Sequence, residues 1–144
     1  MEEKELRYGT DYPDQCPPKS CKRPDNITVF RACNVNICDE NGNLNLKNFI
    51  PVCEQKDRRF KDESQICKSK AVSFYFDLEK LKKLAKHFGL GNQIIQVTLN
   101  KNCGYMEKKG SHCSLWDFKN PNISEAIGKN WKLVYESKKV NLNE

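Results

Sequence analysis

No stretch of the 144 residues holds the roughly eighteen consecutive apolar side chains that a membrane-spanning helix needs, so no segment is expected to cross a bilayer. The opening Met1-Glu-Glu-Lys-Glu has neither the basic nor the apolar part of a signal peptide. Also missing are a Cys-x-x-Cys pair, a Gly-rich phosphate loop, a Gly-x-Ser-x-Gly elbow and a His-Glu-x-x-His helix. Histidine is scarce: only His87 and His112 occur, far apart and outside any triad or metal motif. Apolar residues make up 38% of the chain and charged ones 31%, which predicts one domain with a lean core.

Cysteine is the residue in surplus. Eight are dispersed, at Cys16, Cys21, Cys33, Cys38, Cys53, Cys67, Cys103 and Cys113. An even, scattered set predicts four disulfides in a secreted domain, the chain then being a mature segment with an added start Met. Two glycosylation sequons agree, Asn26-Ile27-Thr28 and Asn122-Ile123-Ser124. The rival reading is a cytosolic zinc module, because Cys16-x4-Cys21 and Cys33-x4-Cys38 are spaced as metal knuckles can be. Four further cysteines would then have no role. The formal charge of +6 is spread rather than massed, which favours acidic partners without pointing to nucleic acid.

The clearest pattern lies between Val72 and Leu99. Val72, Phe74 and Phe76 alternate with Ser73 and Tyr75, the period of a half-buried strand. Asp77 stands at an N-cap position, and Leu78, Leu81, Leu84, Ala85 and Phe88 make an apolar stripe at helical spacing. Lys80, Lys82, Lys83, Lys86 and His87 are interleaved toward water, and Gly89 supplies a helix stop. Ile95, Val97 and Leu99 then alternate as a second strand over Ile94 to Leu99.

Around this block, residues 1–15 predict a loose arm and residues 16–144 a single domain. Residues 16–26 form a stapled loop, and Ile27 to Arg31 a short strand that Val35 and Ile37 extend. Asn41-Gly42 turns a hairpin, and Leu44 to Val52 returns as an edge strand ended by Pro51. Glu54 to Lys70 reads as a charged connector and residues 100–114 as a loop closed by Cys103 and Cys113. Ser124 to Ile127 gives one helical turn, and Trp131 to Val140 a final strand. The fold expected is α+β: a small, mainly antiparallel sheet with one principal helix, stapled by disulfides.

Function is expected to be binding. No cofactor or metal is expected, and no catalytic set assembles from the sequence. The leading reading is a secreted, non-enzymatic protein of effector, toxin or host-modulator type, meeting another extracellular protein or an acidic glycan. Its contact surface would be Lys80, Lys83 and Lys86 with an exposed Trp116 and Phe118, since an aromatic beside charge suits an interface. A ribonuclease-type secreted hydrolase is the second class, with His87 and His112 as acid and base. Phe74-Tyr75-Phe76 as a base-stacking platform yields to a core role. Finally, Phe49-Ile50-Pro51-Val52-Cys53, Cys67, Phe76-Asp77-Leu78, the helix, and Ile94–Leu99 leading to Cys103 resemble barwin and expansin-type double-psi barrels. That resemblance implies a barrel and adds wall or oligosaccharide binding to the alternatives.

Overall fold

The computed structural model describes residues 4–33, 36–54, 60 and 62–137. Its central run follows from the local pattern. Strand β2 (Val72–Tyr75) leads into helix α2 (Leu78–Phe88), and strand β3 (Gln93–Leu99) follows. The Asp77 carboxylate accepts the Lys80 N–H at 3.1 Å, satisfying a donor that a helix start leaves free. At the other end Gly89 takes φ 62°, and the Leu90 N–H closes onto the Ala85 carbonyl at 3.0 Å.

Strands β2 and β3 do not pair with each other. Strand β1 (Ile27–Cys33) lies between them, antiparallel to both, so the two strands joined by α2 run parallel with β1 in the gap. With strands β4 (Gly104–Lys109), β5 (His112–Asp117) and β6 (Trp131–Glu136), the sheet has six strands in the order β4-β5-β2-β1-β3-β6. Every described ladder is antiparallel. This linear order is not the barrel that the double-psi resemblance implied.

Helices sit on both faces. Val29 and Cys33 of β1 join Phe74, Ile95, Val97 and Leu99 in the main core, capped by Phe49 and by helix α3 (Ile123–Ile127). Helix α2 packs on β1 from the other side, burying Leu81 and Ala85. A register shift between Ile94 and Ile95 buries both of these neighbours, where plain alternation would bury one. Phe88 departs from the expected stripe: it lies past the last buried turn and is 63% exposed.

Several expectations are corrected. Leu44 to Val52 is not a strand: the Asn45 side chain accepts the Lys47 N–H at 3.0 Å and starts a 3-10 turn over Leu46–Phe49. The hairpin turn before it forms, held by the single bridge between Cys38 and Leu44. Residues 100–114 hold most of a β4–β5 hairpin, turning at Gly110 with φ 58°. The charged connector contains helix α1 (Glu63–Ser69), capped by Asp62, so α2 is the longest of three α-helices among the described residues. Val35, residues 55–59 and 61 of the connector, and 138–140 of the last strand lie outside the described residues.

Among the described residues of the N-terminal arm, Leu6, Arg7 and Tyr12 lie against the domain. Leu6 bridges Phe118, and the Arg7 Nε and Nη2 both reach Asp117 Oδ2 at 2.8 Å. Asp117 is 1% exposed, and burial pushes its carboxyl above the ordinary range while Arg7 opposes that shift. A carboxylate so deeply placed needs a counter-ion, and residue 7 brings it.

Of the eight cysteines expected in bridges, Cys16 and Cys67 are joined and the other six are free thiols. Cys103 and Cys113 cannot pair. Cys113 stands opposite Lys108, five residues along β4 from Cys103, which is roughly 16 Å against the roughly 6 Å a disulfide spans. Cys33, Cys103 and Cys113 instead serve as small apolar core residues.

Candidate functional site

Helix α2 presents three lysines to solvent. Lys80, Lys83 and Lys86 are exposed and make no ion pair among the described residues, whereas Lys82 turns back to Glu79 at 3.0 Å and over the Tyr135 ring at 4.8 Å. The stripe ends on an aromatic. Phe88 is 63% exposed, with the His87 ring edge-on at 4.6 Å, and Leu90, 41% exposed, follows the Gly89 stop. The basic face and two uncovered apolar side chains therefore adjoin at one end of α2.

Trp116 and Phe118 do not belong to this surface. They are 0% and 1% exposed, and the expectation of an exposed aromatic pair is corrected for a physical reason. Trp116 fills a pocket with Cys67 and Ala71, its indole N–H donating to the Cys67 carbonyl at 3.0 Å. Phe118 lies beneath Lys4 and Arg23, whose charged ends stand 5.6 and 5.3 Å from its ring centre. The disulfide and the docked N-terminal segment close this edge. Phe88 at the end of α2 takes the place of the exposed aromatic. The signal for it was present, since it is the last member of a stripe directly before a glycine stop.

Behind Leu90 lies a cavity of about 230 Å³, opened where β1 and β2 part after their single paired position, Phe30 with Tyr75. Arg31 reaches into this split. Its Nε donates to the Asn48 carbonyl at 2.5 Å and its Nη1 to the Ser73 carbonyl at 2.7 Å. The rings of Phe49 and Phe74 each lie 5.9 Å from the guanidinium carbon. Burial lowers the Arg31 pKa to about 10, which leaves it charged at neutral pH. Sequence reasoning passed over this residue because a lone Arg in a strand resembles any surface-facing charge.

The histidines are not brought together. His87 stands on the exposed end of α2, while His112 is half-buried in β5 with the Tyr75 ring edge-on at 5.2 Å. Burial, then Lys68, lowers the His112 pKa. The ring contacts of the two histidines are with different partners, His87 with Phe88 and His112 with Tyr75. No group of three His, Cys, Asp or Glu side chains is placed to hold a metal among the described residues. Of the sequons, Asn26 is exposed, while Asn122 is half-buried and holds the N-terminus of α3 in a capping box with Glu125.

No protein-family model matches this chain, and neither does any curated protein or solved structure.

Proposed function

We propose that this is a secreted, non-enzymatic binding protein of effector or modulator type that docks an acidic protein surface on the outer face of α2. The observation that supports this most is Phe88. A large aromatic left 63% exposed, beside three lysines without ion pairs among the described residues, loses free energy in water and gains it under a partner. The lysines supply charge complementarity, which steers encounter and excludes basic partners. The apolar side chains favour a protein over a glycan. The Cys16–Cys67 bridge fits an oxidising compartment.

The test is a titration of the isotope-labelled protein with a synthetic acidic peptide carrying leucine side chains, read by backbone amide shifts. Shifts should concentrate between Lys80 and Leu90, disappear in Phe88→Ser, and weaken in Lys83→Glu with Lys86→Glu. Shifts centred elsewhere, or heparin fragments binding better than the peptide with no effect of Phe88→Ser, would overturn the protein-docking reading.

A further inference from the structure

A second site goes beyond that surface, and it begins from an imbalance of charge. A guanidinium carries five N–H donors. Two of those on Arg31 go to backbone carbonyls, and the rest, including both on Nη2, have no acceptor among the described residues. Among the described residues no carboxylate forms an ion pair with it: Asp117, which acts on it from a distance, is paired with Arg7, and the acidic group with the largest influence on Arg31 is the Cys33 thiol. Burial pushes that thiol up to about 11, so it stays neutral at ordinary pH. Arg31 is half-buried, and its unpaired donors are not sealed from solvent, so a charged acceptor entering the cavity can reach them.

The surrounding wall decides what kind of anion would restore the balance. Among the described residues, Arg31 is the one charged side chain lining the cavity. Ser73 and Tyr75 add hydroxyl-bearing side chains, while Ala32, Ile50, Val52, Leu81 and Leu90 make an apolar lining. A doubly charged phosphate would bring one negative charge more than this site can match, and its hydrated oxygens would meet alkyl groups. A carboxylate brings one charge in the planar geometry that a guanidinium pairs with best, and its hydrocarbon body suits the wall.

We propose that the Arg31 cavity binds a small monocarboxylate with an apolar body, its carboxylate on the free guanidinium donors and its hydrocarbon part between Val52, Leu81 and Leu90. Entry is from the Leu90 side, since Leu90 lines the cavity and is itself 41% exposed. The cavity adjoins the docking face at Leu90, but its ligand contacts Arg31, whereas the docked protein contacts the α2 lysines and Phe88. Failure of either reading therefore leaves the other standing.

The experiment titrates hexanoate into the full chain and follows the backbone amides of Ala32, Ser73 and Tyr75 and the Arg31 Nε–H. Hexanol and inorganic phosphate are run in parallel. Hexanoate should give saturable shifts at all four positions, hexanol and phosphate much weaker ones. Arg31→Gln should weaken hexanoate roughly tenfold or more, as loss of a charge-assisted hydrogen bond does. Because Arg31 also holds two carbonyls, Leu90→Glu is the second variant. It places an internal carboxylate at the cavity mouth on a side chain that tolerates change, and should block hexanoate without unfolding the protein. Absence of shifts at these positions, hexanol matching hexanoate, phosphate outcompeting it, or Leu90→Glu binding like the parent would each overturn the assignment.

Discussion

Two parts of this molecule carry the same ingredients and treat them in opposite ways. At Trp116-Asp117-Phe118 an aromatic pair flanks a charge; at Lys86-His87-Phe88 an aromatic follows charges. The first is sealed: Leu6 and Tyr12 pack on the Trp116 cluster, Arg7 neutralises Asp117, and the Cys16–Cys67 bridge fixes the covering segment. The second stays open, with Phe88 and Leu90 uncovered and three lysines unpaired among the described residues. What separates them is not local composition. It is whether the fold brings another stretch of chain to lie across the site.

The contrast can be broken by substitution. Trp116→Ala should destabilise by about 3–5 kcal/mol, because it empties a closed pocket and removes the indole donor to the Cys67 carbonyl, which keeps the Lys70 N–H. Phe88→Ser, by contrast, should stay within about 0.5 kcal/mol of the parent. Urea unfolding of the two variants side by side checks both, and similar losses would erase the distinction. Next in size is the covering segment. Replacing Cys16 and Cys67 together by Ser should cost about 2–4 kcal/mol, since the bridge links residues 51 apart. The same change should make Trp116 fluorescence more accessible to a quencher while Phe88 remains as it was.

The smallest effect sharpens the picture on the sealed side. His112 is held below its ordinary value of 6.5 in the folded chain, by burial first and Lys68 second. As pH falls past 6.5 the unfolded chain therefore takes up the proton first. Stability should be full above that pH, decline as pH drops toward the folded pKa, and then level off. His112→Gln should remove that part of the pH dependence of the urea midpoint.

Where the sequence was legible, local physics was enough. Asp77, the leucine spacing of α2 and Gly89 are each explained within one turn of the chain, and they formed as the pattern requires. The alternation of β1 and β3 was equally readable, since one face of each is buried. The failures share a cause. The β4–β5 hairpin was hidden because Glu107, Lys108 and Lys109 interrupt its alternation, and its pairing came from a partner strand, β2. Helix α1 was hidden in a charged run whose apolar contacts, Ile66 and Cys67, are too few to show a stripe. The docking of Arg7 on Asp117 joins positions 110 apart, and no local pattern reports such a pair. Arg31 was missed for the same reason, because its carbonyl partners lie 17 and 42 residues away.

The most direct measurement is hydroxyl-radical footprinting of the intact chain, read residue by residue with mass spectrometry. The account predicts rapid oxidation of Phe88 and strong protection of Trp116 and Phe118, with Phe88 becoming protected when the acidic peptide is added. Trp116 and Phe118 oxidising as fast as Phe88, or Phe88 unchanged by a peptide that binds, would contradict it.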